Sequence, residues 1–376
     1  MNQKRRSPSE CALKCGFRES SWLNQTRDVS SACSKRLYHK VLNVLLIFWS
    51  FEMKKSLIAL AVLAASGASF AQSSVTAYGI ADIWLGTVKA GGVRTTKLDS
   101  GGVDTSRWGL KGTEDLGGGL KANFKLEQGF NLDSGSATSG QAFSRYAYVG
   151  FSGGFGEVKL GKTGTAYDDV QGASDAVFDS ALAPMNHVFA STGYIWNPAN
   201  TIYYATPNMS GFSGAFSYSL DEKVAATPKI SSVNVAYAGG PLAVQFGYQK
   251  EDKTNVANDT SFLRLGGSFN FGVATAKATY GEVKNVDNVA DAKAKDWQLG
   301  VDVPVGPALT LSASYAQSDE NARAGDTTGK GWGFAGAYTL SKRTYLYGGF
   351  TSNKYTTPRL ADSKLEIFAL GVNHKF

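Results

Sequence analysis

The final residues of the chain, Lys364-Leu-Glu-Ile-Phe-Ala-Leu-Gly-Val-Asn-His-Lys-Phe376, constrain the fold more than any other stretch. Counting back from Phe376, alternate positions carry His374, Val372, Leu370 and Phe368, and Lys375, Asn373, Gly371 and Ala369 lie between them. This is a period-two strand that runs to the last residue and ends on an aromatic ring. Termini of soluble domains usually fray. A sheet that closes on itself inside lipid needs its last strand paired, because each unpaired backbone group in hydrocarbon costs several kcal/mol. The segment therefore predicts the closing strand of a transmembrane barrel. Phe368, Leu370, Val372, His374 and Phe376 are its closure residues and the expected signal for the barrel assembly machinery.

Charge supports this once the chain is divided. The formal net charge of +7 would suggest nucleic acid or an acidic surface as partner. Residues 1–71 hold 11 basic and 4 acidic residues, which is the whole excess, and residues 72–376 hold 27 of each. Nucleic-acid binding loses its support. Cys11, Cys15 and Cys33 are the three cysteines, so residues 72–376 can form neither a disulfide nor a cysteine metal site. No cofactor and no metal are expected.

Residues 53–71 have the parts of a secretory signal: Lys54 and Lys55, an apolar run from Leu57 to Ala65, and the small-x-small site Ser69-Phe-Ala71. Cleavage is expected after Ala71. Met53 then reads as the true start, and residues 1–52 as a mis-called upstream extension. A regulatory cytoplasmic extension is the rival reading. Residues 72–376 form the barrel.

Within that part, 242–248, 274–280, 297–303 and 309–315 alternate apolar residues with small or polar ones. Short turns bearing glycine or proline join pairs of runs near 115–119, 153–156, 208–211, 239–241, 271–272 and 304–307, and Leu340-Ser-Lys-Arg343 makes another. Longer polar connections fall near 90–103, 133–141, 167–199, 221–230, 252–260, 285–295, 319–330 and 355–363. About sixteen strands result, with short turns on one rim and long loops on the other, as in outer-membrane barrels. A soluble β-sandwich would also alternate, but its strands would supply a second hydrophobic layer that is missing here. The fold class is thus all-β, a sixteen-stranded antiparallel transmembrane β-barrel.

The segment Arg107-Trp-Gly-Leu-Lys-Gly-Thr-Glu-Asp-Leu-Gly-Gly-Gly-Leu-Lys-Ala122 resembles the second and third strands of Gram-negative general porins of the β-proteobacterial type. Phe143-Ser-Arg-Tyr-Ala-Tyr-Val-Gly-Phe-Ser-Gly153, Gly156-Glu-Val-Lys-Leu-Gly-Lys162, Asn200-Thr-Ile-Tyr-Tyr-Ala-Thr-Pro207 and His374-Lys-Phe376 are similar to later strands of that family, in the same order. The resemblance implies a homotrimer in outer-membrane lipid and lipopolysaccharide, passing small hydrophilic solutes passively. It also implies that the third long loop, here 167–199, folds into the lumen as a constriction. A connection this long is itself a functional signal.

The loop carries Asp168, Asp169, Asp175 and Asp179. The facing wall is expected to be basic. Arg107 and Lys111 alternate with Trp108 and Leu110, Lys121 and Lys125 with Ala122, Phe124 and Leu126, and Arg145 with Tyr146 and Tyr148. Lys162 matches a basic constriction position of the family. Facing charges would set a transverse field that orients solutes and biases ion choice, although any wide barrel has a polar interior. Relatives often carry an arginine shortly before Asn200, where this chain has Trp196-Asn-Pro-Ala199, which points to a less basic pore. Asn373 likewise replaces a basic residue common in relatives.

Other motifs carry little. Residues 156–163 match the phosphate-loop pattern G-x-x-x-x-G-K-[ST], but Val158 and Leu160 alternate as in a strand and no amphipathic helix follows. Residues 72–376 hold His187 and His374; a Ser-His-Asp site at His187 would need a serine and an acid nearby, and both are so abundant that such a match is uninformative. Asp319 to Asp326 could hold divalent cations against lipopolysaccharide, or simply be solvated. Tyr78, Trp84, Phe130, Tyr248, Trp297, Trp332, Tyr345 and Phe350 are expected at strand ends or outward as interface girdles, a stacking platform being the alternative. The expected function is a passive outer-membrane diffusion channel, not an enzyme. The alternatives are a channel selective for one solute class, such as organic anions, and a non-conducting adhesin or scaffold.

Overall fold

The computed structural model describes residues 74–222, 228–253, 256–322 and 325–376. The extension 1–52, the signal 53–71 and its cleavage point lie outside the described residues. The strands are β1 Ser74–Ala90, β2 Val93–Ser100, β3 Arg107–Gly117, β4 Leu120–Gly129, β5 Tyr146–Gly153, β6 Gly156–Lys162, β7 Thr201–Ala205, β8 Phe212–Ser219 and β9 Lys229–Gly239. There follow β10 Leu242–Asp252, β11 Thr260–Asn270, β12 Thr275–Lys284, β13 Lys293–Val305, β14 Leu309–Ala322, β15 Gly325–Thr339, β16 Thr344–Thr356 and β17 Ser363–Lys375.

Each strand pairs antiparallel with its neighbours, and β17 returns to β1 with Ile80 opposite Lys375 and Ala90 opposite Leu365. The upper half of β1 pairs with β2 and its lower half with β3, so these two form one stave interrupted at 101–106. Among the described residues, seventeen strands thus make sixteen staves. The connection expected near 90–103 is therefore mostly strand: Gly91 and Gly92, both at positive φ, turn the chain at once into β2. The one near 319–330 is also mostly strand, because β14 and β15 stay paired from Asp319 opposite Thr328 out to Ala322 opposite Gly325.

The interruption is pinned by Asp82. Its carboxylate accepts hydrogen bonds from the Gly102 and Asp104 amides at 2.8 and 3.0 Å and from Asn373 Nδ2 at 2.8 Å. Asn373, on the closing strand, therefore binds a buried carboxylate. At the seam itself, Gly79 N donates to Phe376 O and Phe376 N to Gly79 O, both at 3.0 Å. The Phe376 ring lies where a Gly79 side chain would stand. Gly79→Val should push the ring off the seam, an overpacking cost of about 1–3 kcal/mol. Heat-modifiable mobility on denaturing gels should then show less folded barrel; wild-type yield would contradict this.

Burial is inverted relative to a soluble protein. Inward positions of the wall are small or polar, as at Ser217, Ser232, Thr279, Gln298, Ser312 and Thr351, all buried. Outward positions include Leu85, Val149, Phe216, Leu265, Leu299, Phe334, Phe368 and Leu370, all exposed. Apolar exposure on this scale needs a lipid solvent. Tyr248, Trp297, Trp332 and Phe350 lie on the outward face as expected. Tyr78, Trp84 and Tyr345 do not. Tyr78 bonds Glu127, Trp84 packs on Ala176 and Val177, and Tyr345 lies against the same inner cluster. Alternation gives two faces without saying which is inner: on β1 Tyr78, Ile80 and Trp84 lie inward, and Gly79 on the outer face admits Phe376.

Candidate pore constriction

Between β6 and β7 the chain leaves the wall for residues 163–200 and runs along its inner surface. It has little regular structure, with short 3-10 turns at Asp168–Val170, Val177–Asp179 and Ala190–Thr192 and one helical turn, Met185–Val188. What seats it is missing bulk. A Cβ added to Gly247 would meet Val170 and Tyr167, one on Gly266 Ser174, one on Gly300 Ala176, and one on Gly333 Leu182 and Pro184. These lumen-side glycines make room for the loop, along with polar contacts such as Val177 N to Ser312 Oγ at 2.6 Å. At the tip, Ala181 N bonds Gly102 O at 2.8 Å, so the break in the second stave receives the loop.

Three wall groups clamp the returning limb. Arg264, fully buried, donates to Gln171 O and to Ser191 Oγ, both at 3.0 Å, and so ties the outgoing and returning limbs together. Asp296 accepts the Ser191 amide at 2.8 Å, and Glu251 the Ile195 amide at 2.6 Å. Sequence reasoning missed all three. Their only signal is a charge on the inward face of a strand, which a solvated lumen would also show.

The basic wall is formed by β3, β4 and the start of β5. Lys111 stands opposite Lys125, and Glu127, 2% exposed, is the hub beneath them. It accepts the Tyr78 hydroxyl at 2.7 Å and Arg145 Nε at 2.8 Å, and pairs with Lys125 Nζ at 3.2 Å. Arg107 pairs with Asp104 at 3.0 Å. Tyr146 and Tyr148 turn inward, contrary to the expectation that they oppose Arg145. β5 begins at Tyr146, so Arg145 sits on irregular chain outside the strand's alternation, and Val149 and Phe151 take the lipid face.

The other assigned residues divide. Lys121 is exposed beside the short β3–β4 turn, two inward positions from Lys125. Lys162 Nζ donates to Asn197 O at 2.8 Å and ties down the loop end. Lys159, not anticipated, lies on the inner face beside Tyr148 and Tyr203. Trp196 covers the Arg145 guanidinium at 4.9 Å. The phosphate-loop match is strand β6 itself. Among the described residues, no group of three or more His, Cys, Asp or Glu could hold a metal ion.

Of the loop acids, Asp168 and Asp169 come to the wall near Arg145 and Lys159. Asp168 accepts the Tyr194 hydroxyl at 2.6 Å, and Asp169 the Tyr203 hydroxyl at 2.8 Å. Asp179 is exposed and accepts Asn186 Nδ2 at 3.0 Å. Asp175 does not face the opening: 1% exposed, it is packed between loop and wall, where Lys277 Nζ bonds its backbone oxygen at 2.6 Å.

Burial pushes the Asp168 carboxyl up to about 6, against the Tyr194 hydrogen bond, which lowers it. The folded value exceeds the ordinary one, so charging disfavours the seated loop as pH rises through about 6. Going from alkaline to mildly acidic solution removes one negative charge beside Arg145. Anion preference, read as reversal potential, should rise with a midpoint near that value. Asp168→Asn should lack the step; its persistence would contradict the assignment.

Residues 57–358 match the Gram-negative porin family. The chain is a Gram-negative porin. Outer membrane porin protein 32 of Delftia acidovorans is 39% identical to it over 320 residues, 80% of this porin and 90% of that protein. An outer membrane porin protein of Bordetella pertussis is 30% identical over 394 residues, covering 86% of this porin and 100% of that one. Among solved structures, an anion-selective porin from Comamonas acidovorans superposes with a TM-score of 0.70 at 32% identity, over 81% of this chain and 100% of that one. The porin is thus an integral outer-membrane protein whose barrel forms a water-filled channel for passive diffusion of small hydrophilic solutes and ions. The non-conducting adhesin or scaffold reading is not favoured.

Proposed function

We propose that the porin passes small anions in preference to cations, as a homotrimer and without any chemical step. The observation that carries this is the state of Glu127. It is 2% exposed, and Tyr78, Lys125 and Arg145 already share its charge, so the wall beside the loop presents Lys111, Lys125 and Arg145 to the lumen. Burial raises both carboxyls, Asp168 to about 6 and Asp169 in the same direction, so the opposing field weakens as the solution turns mildly acidic. The similar Comamonas porin bears the description anion-selective. Arg107, Lys111, Lys125 and Arg145 on the wall, with Asp168 and Asp169 on the loop, are the residues assigned to the constriction. Lys162 is assigned to holding the loop end.

Lipopolysaccharide is the proposed partner of the long-loop rim. Lys295 and Lys330 lie one outward position beyond Trp297 and Trp332, and Lys293 follows Lys295, all three exposed. The paired closing strand is proposed as the assembly machinery's signal. Reversal potential across a KCl gradient tests the ion preference. A value on the chloride side is expected, and one on the potassium side would sink it. Cross-linking in outer membranes should give trimers; monomer alone would remove that part.

A further inference from the structure

The constriction wall carries aromatic rings that charge selectivity does not require. Lys111 Nζ lies 5.0 Å from the Tyr78 ring centroid, Lys125 Nζ 3.8 Å from that of Tyr146, and Arg145 Cζ 4.9 Å from that of Trp196. Lys159 Nζ lies 4.5 Å from Tyr203 and 5.6 Å from Tyr148. These groups are contiguous. Lys111 stands opposite Lys125 across β3 and β4, Lys125 opposite Tyr148 across β4 and β5, and Lys159 opposite Tyr203 across β6 and β7. Tyr148 faces Gly161 and Lys159 faces Gly150, so neither is crowded by its other cross-strand partner. The Tyr78, Tyr146, Tyr148 and Trp196 rings keep part of their surface exposed. Under the loop the inward rings Phe262, Trp84 and Tyr347 are buried against it, among small polar residues such as Ser232, Gln245, Thr279 and Ser312.

We propose that this wall is a binding track for small aromatic carboxylates. Such a solute places its carboxylate on a lysine or arginine and its ring against the face or edge of the neighbouring tyrosine or tryptophan. As it advances, each cation hands the carboxylate to the next, and each ring has a successor. An aliphatic acid of equal charge gains only the ionic contact, and chloride gains no ring contact. The inference rests on the reading of this porin as an open, anion-preferring channel.

The test uses the full-length porin in planar bilayers in KCl at neutral pH, with benzoate or cyclohexanecarboxylate added. The two probes share charge and approximate size, and only benzoate has a π system. Benzoate should reduce the chloride current at a concentration about two- to tenfold lower, the range expected of one aromatic contact. In the Tyr148→Leu/Trp196→Leu double variant the ratio of half-blocking concentrations should fall toward one. Taking a ratio removes any change in conductance itself. Equal block in the wild type overturns the track, as does a preference undiminished in the double variant. If that variant does not fold, the wild-type comparison decides. A channel that conducts but treats both acids alike sinks only the track; a folded porin that does not conduct sinks the channel reading.

Discussion

Leucine at both Gly300 and Gly333 should push the loop off the wall toward the pore axis and lower single-channel conductance. The two glycines lie on adjacent inner segments where Ala176, Leu182 and Pro184 of the loop occupy the side-chain space. A leucine there has nowhere to go but into the loop. The strand pairing does not depend on that contact, since β13, β14 and β15 keep their ladders through both positions. The loop is the softer element. It carries three successive left-handed residues, Val177, Phe178 and Asp179, at φ 62, 65 and 48°. Such residues persist only where their surroundings hold them, here through Ser312, Ser180 and Gly102. A folded double variant with unchanged conductance would show that 163–200 does not narrow the channel.

The second large effect concerns Arg107 and Arg145. Replacing both with serine should lower the chloride-to-potassium permeability ratio by about fivefold, since a unit charge about 4 Å from an ion in water contributes about 1 kcal/mol. Folding should survive. Glu127 keeps Tyr78 at 2.7 Å and Lys125 at 3.2 Å, and Arg107 pairs with Asp104 at 3.0 Å. Arg145 is expected to matter more, because losing it also returns Glu127's charge toward the lumen. Reversal potentials of the two single variants and the double variant read this directly. No movement in the double variant would remove these arginines from the selectivity mechanism.

The barrel was legible because its physics is periodic. Alternation in 242–248 and 297–303 shows two faces, and the paired terminal strand announces closure. The same pattern misplaced Tyr78, Trp84, Tyr345, Tyr146 and Tyr148, because it does not say which face meets lipid. Outer positions such as Gly79 are small for a packing reason that only the seam reveals. Loop 163–200 could be recognised by length, yet its path could not: it follows gaps left by Gly247, Gly266, Gly300 and Gly333, which in sequence look like ordinary strand glycines. Asp175 looked like its fellow acids and is buried, whereas Arg264 and Lys159 carry no local signal beyond a charge on a strand. One clamps both limbs of the loop, and the other stands among tyrosines. Charge position relative to a folded-in loop is long-range information, absent from local periodicity.

We propose that the barrel holds an open aqueous path narrowed where the loop approaches the basic wall of Arg107, Lys125 and Arg145. Single-channel recording of the folded full-length porin in a planar bilayer tests it most directly. Discrete, steady conductance steps, linear in voltage over a moderate range, are the predicted result. Folded barrels that insert and carry no current would contradict it.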